Sequence, residues 1–211
     1  MKPDIKITKE RLRTHFAYAW WQYALLVVLA FFFWNLLFQT THYRSPEPLK
    51  VEWYCDSYVP ANASKDPVEL MESLKASVLS GMEETTFTQV GMDENYGEMQ
   101  LSTWVAAGQG DLYLLTRQRA RNMGAGGGMV DLQPYVDSGA LNVGDIDLED
   151  GYVTNEDTGK LELIGIPADT LTGLNEYGIT TKGEQLCMLQ MGGNNENTLK
   201  LLQYLLDTMK P

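Results

Sequence analysis

Between Arg13 and Arg44 the chain carries no Asp, Glu, Lys or Arg, a gap unlike anything else in its 211 residues. Within it, residues 18–38 are almost wholly apolar, interrupted only by Gln22 and Asn35 near the two ends. A run of about 20 such residues crosses the hydrocarbon core of a bilayer as a helix. Tyr18, Trp20, Trp21 and Tyr23 crowd one end and Trp34 and Tyr43 mark the other, as amphipathic rings do at headgroup depth. A core helix of a soluble protein would keep one polar face over such a length, and none is found here. Lys2, Lys6, Lys9, Arg11 and Arg13 precede the run, whereas only Arg44 and Lys50 follow it closely, so the positive-inside rule puts the N-terminus in the cytoplasm. The apolar run is too long for a cleaved signal peptide, and no small-residue cleavage site or lipobox cysteine follows it. The expected layout is a basic cytoplasmic tail (1–15), a single transmembrane helix (16–39), a linker (40–48) containing Ser45-Pro-Glu-Pro, and an extracytoplasmic domain (49–211).

Five of the 16 basic and two of the 28 acidic side chains belong to the tail, which leaves 11 and 26 after residue 43 and a formal charge of −15 on the domain. Such a surface repels phosphate backbones and anionic lipid and excludes nucleic acid as a partner. The domain is long enough for one real core. Its two cysteines, Cys55 and Cys187, lie in apolar strand-like runs, where a thiol acts as a small buried hydrophobe as readily as half of a disulfide.

Residues 49–55 alternate and are rich in β-formers, predicting a first strand. Asp66-Pro-Val-Glu supplies a cap, a first-turn proline and an acid three places on; Val68, Met71, Leu74, Val78 and Met82 keep helical spacing as far as the stop at Gly81. A strand at 86–91, a helix at 97–107 and a strand at 111–116 complete a β-α-β-α-β series, the pattern of a parallel sheet covered by helices. A short basic helix with Arg117, Arg119 and Arg121 then runs into the glycines of 124–128. Residues 152–154 and 160–167 read as a hairpin, 185–191 as another strand, and 194 onward as an amphipathic helix capped by Asn194 or Asn195.

Both histidines, His15 and His42, flank the apolar run, so the domain offers no Ser-His-Asp or Cys-His centre and no His-ligated zinc. No nucleophile elbow or phosphate loop occurs, and the glycine cluster does not directly follow a strand. Asp145, Asp147, Glu149, Asp150 and Glu156 mimic a calcium loop, but Asp150 sits where the turn glycine is required and Gly151 falls one place late. The expectation is a non-enzyme with no cofactor, no metal and no catalytic residues. Ligands of open α/β sheets bind beyond the carboxyl ends of the strands. That rule nominates Asp56, Ser57 and Tyr58 after the first strand, Asp93 and Glu94 after the second, Arg117 after the third and Asp169 after the strand at 160–167. Tyr58 would stack on a ligand and Arg117 would clamp a carboxylate.

Four segments resemble, in order, lobe one of the bacterial extracellular solute-binding proteins that serve ABC importers. They are Val105-Ala-Ala-Gly-Gln-Gly-Asp-Leu-Tyr-Leu-Leu, Met129-Val-Asp-Leu-Gln-Pro-Tyr-Val, Gly159-Lys-Leu-Glu-Leu-Ile-Gly-Ile-Pro-Ala-Asp, and residues 192–206. The family places a whole second lobe between its hinge-entering strand and the returning strand, where this chain has only residues 169–183. The resemblance therefore implies a one-lobed, membrane-anchored relative: a mixed, mostly parallel five-stranded sheet flanked by helices, with no clamshell. It implies a sheet order of second, first, third, returning and hinge-entering strand. That order keeps Cys55 and Cys187 apart as separate thiols, two strand spacings or roughly 9–10 Å from each other. The expected role is a binding or interaction module accessory to an ABC importer in a Gram-positive bacterium, its partners a permease or other membrane protein and a small solute. The alternative is a structural or regulatory ectodomain that docks a membrane partner without a ligand.

Overall fold

The computed structural model describes residues 9–41, 43, 45–57, 59–60, 63–90 and 94–211, and of Arg11, Leu12, Glu94 and Asn95 the backbone alone. Tyr58, Asp93 and Gly91 lie outside the described residues. The chain divides into two compact units, Met1–Arg44 and Ser45–Pro211.

The described part of the first unit is a helix, α1 (Lys9–Thr41). Of it, Arg13–Thr41, 29 residues, is long and apolar enough to cross a membrane. At about 1.5 Å per residue that length exceeds the roughly 30 Å of a hydrocarbon core. Leu25, Val28, Phe31, Phe32, Trp34 and Leu37 are all exposed, pointing to every side of the helix. The helix continues two residues into the stretch read as linker, because Thr40 and Thr41 return their hydroxyls to the carbonyls of Leu36 and Leu37 instead of breaking the turn.

The second unit is built on β1 (Lys50–Cys55), β2 (Glu84–Gln89), β3 (Leu112–Thr116), β6 (Ile166–Pro167) and β7 (Glu184–Met188), in the order β2-β1-β3-β7-β6. The pairs β1–β2 and β1–β3 are parallel while β7 opposes both β3 and β6, so four of the five strands point one way. This is the strand order implied by the sequence resemblance. Helices cover both faces: α2 (Pro67–Lys75), the short α5 (Gln133–Asp137) and α6 (Asn195–Thr208) lie on one, α3 (Glu94–Ala106) and α4 (Arg117–Ala125) on the other. Burial on both sides is why β3 reads as an uninterrupted apolar run. Its Leu112 and Leu114 join Trp53, Cys55, Leu74 and Leu202 in the larger core; its Tyr113 and Leu115 join Tyr54, Leu101, Ile164 and Cys187 in the smaller. Cys55 and Cys187 thus sit on opposite faces, with β3 between their strands, and both are free thiols.

Three local readings are corrected by the packing. Helix α2 begins as its sequence promised, Asp66 accepting from the Val68 N–H at 2.8 Å, but it ends at Lys75 and not at Gly81. The Leu79 N–H reaches back five residues to the Leu74 carbonyl, which turns the chain and drops the Leu79 side chain into the core. The stretch 160–167 is two strands, not one. Its β5 (Leu161–Leu163) pairs with β4 (Tyr152–Thr154), and β6 then joins the main sheet. The switch falls at Gly165, where a Cβ would stand 2.9 Å from the Cys187 Sγ. Finally, Asn194 occupies the cap position of α6 without capping it. Its amide donates to the carbonyls of Pro48 and Lys50 at 2.9 and 3.2 Å, fastening the start of β1 to the start of α6.

Candidate functional site

The carboxyl ends of β1, β2, β3 and β6 and the amino end of the opposing β7 share one edge of the sheet. Asp56 and Ser57 leave β1 there and are buried, with 7% and 5% exposure. Arg117 opens α4 directly after β3; its two terminal nitrogens bond Asp150 at 2.8 Å and Asp169 at 2.9 Å. Both carboxylates that Arg117 holds belong to this chain. Arg119 pairs with Asp56 and, at 2.9 Å through Nε, with Glu98 of α3. Arg121 lies 3.6 Å from Asp150.

Of the nominated residues, the fold brings together Arg117 and Asp169, and Ser57 accepts a hydrogen bond from the Thr180 N–H at 2.9 Å. Asp56 belongs to a second ion-pair group centred on Arg119. Glu94 starts α3, while Tyr58 and Asp93 fall outside the described residues. The nominations omitted Arg119, Glu98, Asp150 and Glu184. Glu184 was within reach of the strand-end rule, since a returning antiparallel strand begins at the edge where the parallel strands end. Arg119 needed the phase of α4, and Asp150 needed the path of the loop before β4.

Electrostatically the edge is acidic: Asp56, Glu98, Asp150, Asp169 and Glu184 outnumber Arg117, Arg119 and Arg121. Burial pushes the Asp56 carboxyl above its ordinary range despite Arg119. Burial, reinforced by the charge of Asp56, pushes Glu184 up to about 7. At Asp169 burial works the same way but is outweighed by the bonds from the Gly183 N–H and Arg117, which hold it below the usual range. Asp56 Oδ2, Glu184 Oε2 and Arg117 Nε are buried without a hydrogen-bond partner among the described residues. Buried polar atoms are seldom left so, and each costs on the order of 1–3 kcal/mol.

Beside this edge, between the loop after β1, the start of α2 and the end of β2, runs an open groove of about 530 Å³ lined by Pro60, Lys65, Asp66, Glu69, Phe87 and Gln89 among others. Among the described residues no group of three or more His, Cys, Asp or Glu side chains is placed to hold a metal ion.

No protein-family model matches the chain, and no curated protein matches it. Among solved structures it is similar to an extracellular solute-binding protein of family 1 from Alicyclobacillus acidocaldarius, at 18% identity and a TM-score of 0.42, over 59% of this chain and 29% of that one. It is also similar to a sugar transporter from Rhizobium etli in an open conformation, at 14% identity and a TM-score of 0.32, over 44% of this chain and 23% of that one. The matched region thus spans less than a third of either structure's length.

Proposed function

We propose that the protein is a membrane-anchored, extracytoplasmic binding or interaction module, with its N-terminus in the cytoplasm and the α/β unit outside. The observation that carries the reading is the union, in one chain, of a helix whose large apolar side chains are exposed all round and an acidic α/β unit with its own closed core. Lipid relieves the first of these of contact with water; the second is a soluble fold. The basic flank before the apolar run supports the orientation. In the finer reading the module is an accessory of an ABC importer that takes a small solute in the groove beside Phe87 and Lys65, as the sequence resemblance suggests.

One observation favours the rival, a docking domain without a small ligand. The arginines at the strand ends are already paired with carboxylates of the same chain. A solute there would have to displace those partners. Thermal unfolding of the full chain in detergent, repeated with sugars, amino acids, short peptides and cations, separates the two. A ligand present at 100 times its Kd adds about 2.7 kcal/mol, a shift of about 5–10 °C in Tm. Such a shift, lost on changing Phe87→Ala, supports solute binding. Silence across the panel, with a membrane protein retained through purification, supports docking.

A further inference from the structure

We propose that Glu184, with Asp56 and Arg119 beside it, is a proton-operated latch that holds residues 169–183 closed on the carboxyl-end edge of the sheet when protonated and releases them when ionised.

The segment leaves the sheet after β6 and re-enters it at β7, and Glu184 is the residue of re-entry. Its N–H donates to the Thr181 carbonyl at 3.1 Å, and its own carbonyl accepts from the Ala168 N–H at 2.9 Å, so its backbone closes the segment's two ends on each other. The Gly183 N–H donates to Asp169 at 3.0 Å, and the Thr180 N–H to Ser57 at 2.9 Å. Leu171, Leu174 and Ile179 are inserted in the larger core, so the segment is a folded cover and not a free loop.

The carboxyl of Glu184 is buried, 7% exposed, and its Oε2 has no partner among the described residues. The titratable and charged groups within electrostatic reach of it come from every neighbouring element. From the end of β1 come Asp56 and Cys55, from α4 Arg119, from the end of β6 Asp169, and from the other face of β7 Cys187. Both thiols are pushed up by burial and stay neutral. Arg119 is shared between Asp56 and Glu98, and Arg117 between Asp150 and Asp169. Arg119 still attracts an ionised Glu184, but burial and the charge of Asp56 outweigh it, and the neighbouring Asp56 Oδ2 has no hydrogen-bond partner among the described residues. A proton removes that charge without any rearrangement; without the proton, the way out is for the segment to lift and let water reach the carboxyl.

The sign follows from the raised carboxyl. The closed form holds its proton up to about 7, whereas an opened Glu184 returns to its ordinary value of 4.5. Between those limits closure is worth less as pH rises, and above the upper one the loss is complete. The opening constant should thus rise by up to about tenfold per pH unit through this window and then level off. Asp56, also raised, acts in the same direction; Asp169, held low, acts only at more acidic pH.

The test is hydrogen exchange of the full chain in detergent from pH 5 to pH 8, corrected for the intrinsic pH dependence of amide exchange. The Thr180 and Gly183 amides should lose protection by roughly 40-fold from pH 5 to pH 7 while the β3 amides keep theirs. Glu184→Gln, which carries the hydrogen-bonding proton permanently, should remove most of the pH dependence of protection in 169–183, leaving only the part due to Asp56. A flat profile in the unaltered chain overturns the latch, whatever the variant does. So does a parallel loss in β3, or a slope that Glu184→Gln leaves undiminished.

Discussion

Arg117 and Arg119 stand two residues apart on α4 and do different work. The Arg119 side chain is 14% exposed and its partner Asp56 3%, so their attraction is little screened and neither has water to fall back on. Arg117 is 38% exposed, and its partners Asp150 and Asp169 are 43% and 37% exposed. Removing Arg119 strands a buried carboxylate; removing Arg117 leaves two acids that water can reach. Arg119→Ala should cost about 3–5 kcal/mol and Arg117→Ala about 1 kcal/mol or less, read from the urea midpoints of the second unit at neutral pH. Equal losses would contradict the assignment of Asp56–Arg119 as the buried pair. The sequence made Asp56, Ser57, Arg117 and Asp169 visible because each directly follows a recognisable strand. It left Arg119 and Glu184 unseen because side-chain identity does not say which turn of a helix meets which loop, or how deep a carboxyl will lie.

Among the elements, the strands and helices were legible where period and punctuation agreed. β1 and β3 are flanked by turn residues and rich in β-formers, and α2 opens on Asp66-Pro67. The misreadings share one cause: backbone geometry set by contacts distant in sequence. Helical spacing runs on through Val78 to Met82, yet α2 stops when burial of Leu79 outbids another turn. Lys160 to Pro167 looks like one strand because nothing local reports that Gly165 packs against Gln185 and Cys187 of a strand that comes later in the chain. A side chain at 165 would have to push that strand aside, since its Cβ would lie 2.9 Å from the Cys187 Sγ and 3.0 Å from the Gln185 Oε1. Gly165→Ala should therefore destabilise the second unit by about 1–3 kcal/mol, whereas Gly183→Ala, where no atom crowds the added methyl, should cost only the strain of its positive φ. Circular-dichroism melts of the two variants side by side check this, and a Gly165→Ala melt no lower than that of Gly183→Ala would contradict it.

On the scale of the whole molecule two unlike surfaces share one chain. Helix α1 exposes large apolar side chains all round, as a span in lipid would, and Ser45–Pro211 carries most of the chain's acidic groups around a core of its own. Residues 169–183, where the resembling family has a second lobe, are folded back with Leu171, Leu174 and Ile179 buried. What the sequence could not express is the use of the closed edge, because an ion pair satisfied within the chain and one offered to a ligand have the same residues. The central claim is topological: basic tail inside, α/β unit outside, one span between. Protease added to intact cells expressing the chain with different epitopes at its two ends tests it directly. The account predicts that the C-terminal epitope is lost while the tail epitope survives on a membrane-protected fragment; loss of the tail epitope from intact cells, with the C-terminal unit spared, would contradict it.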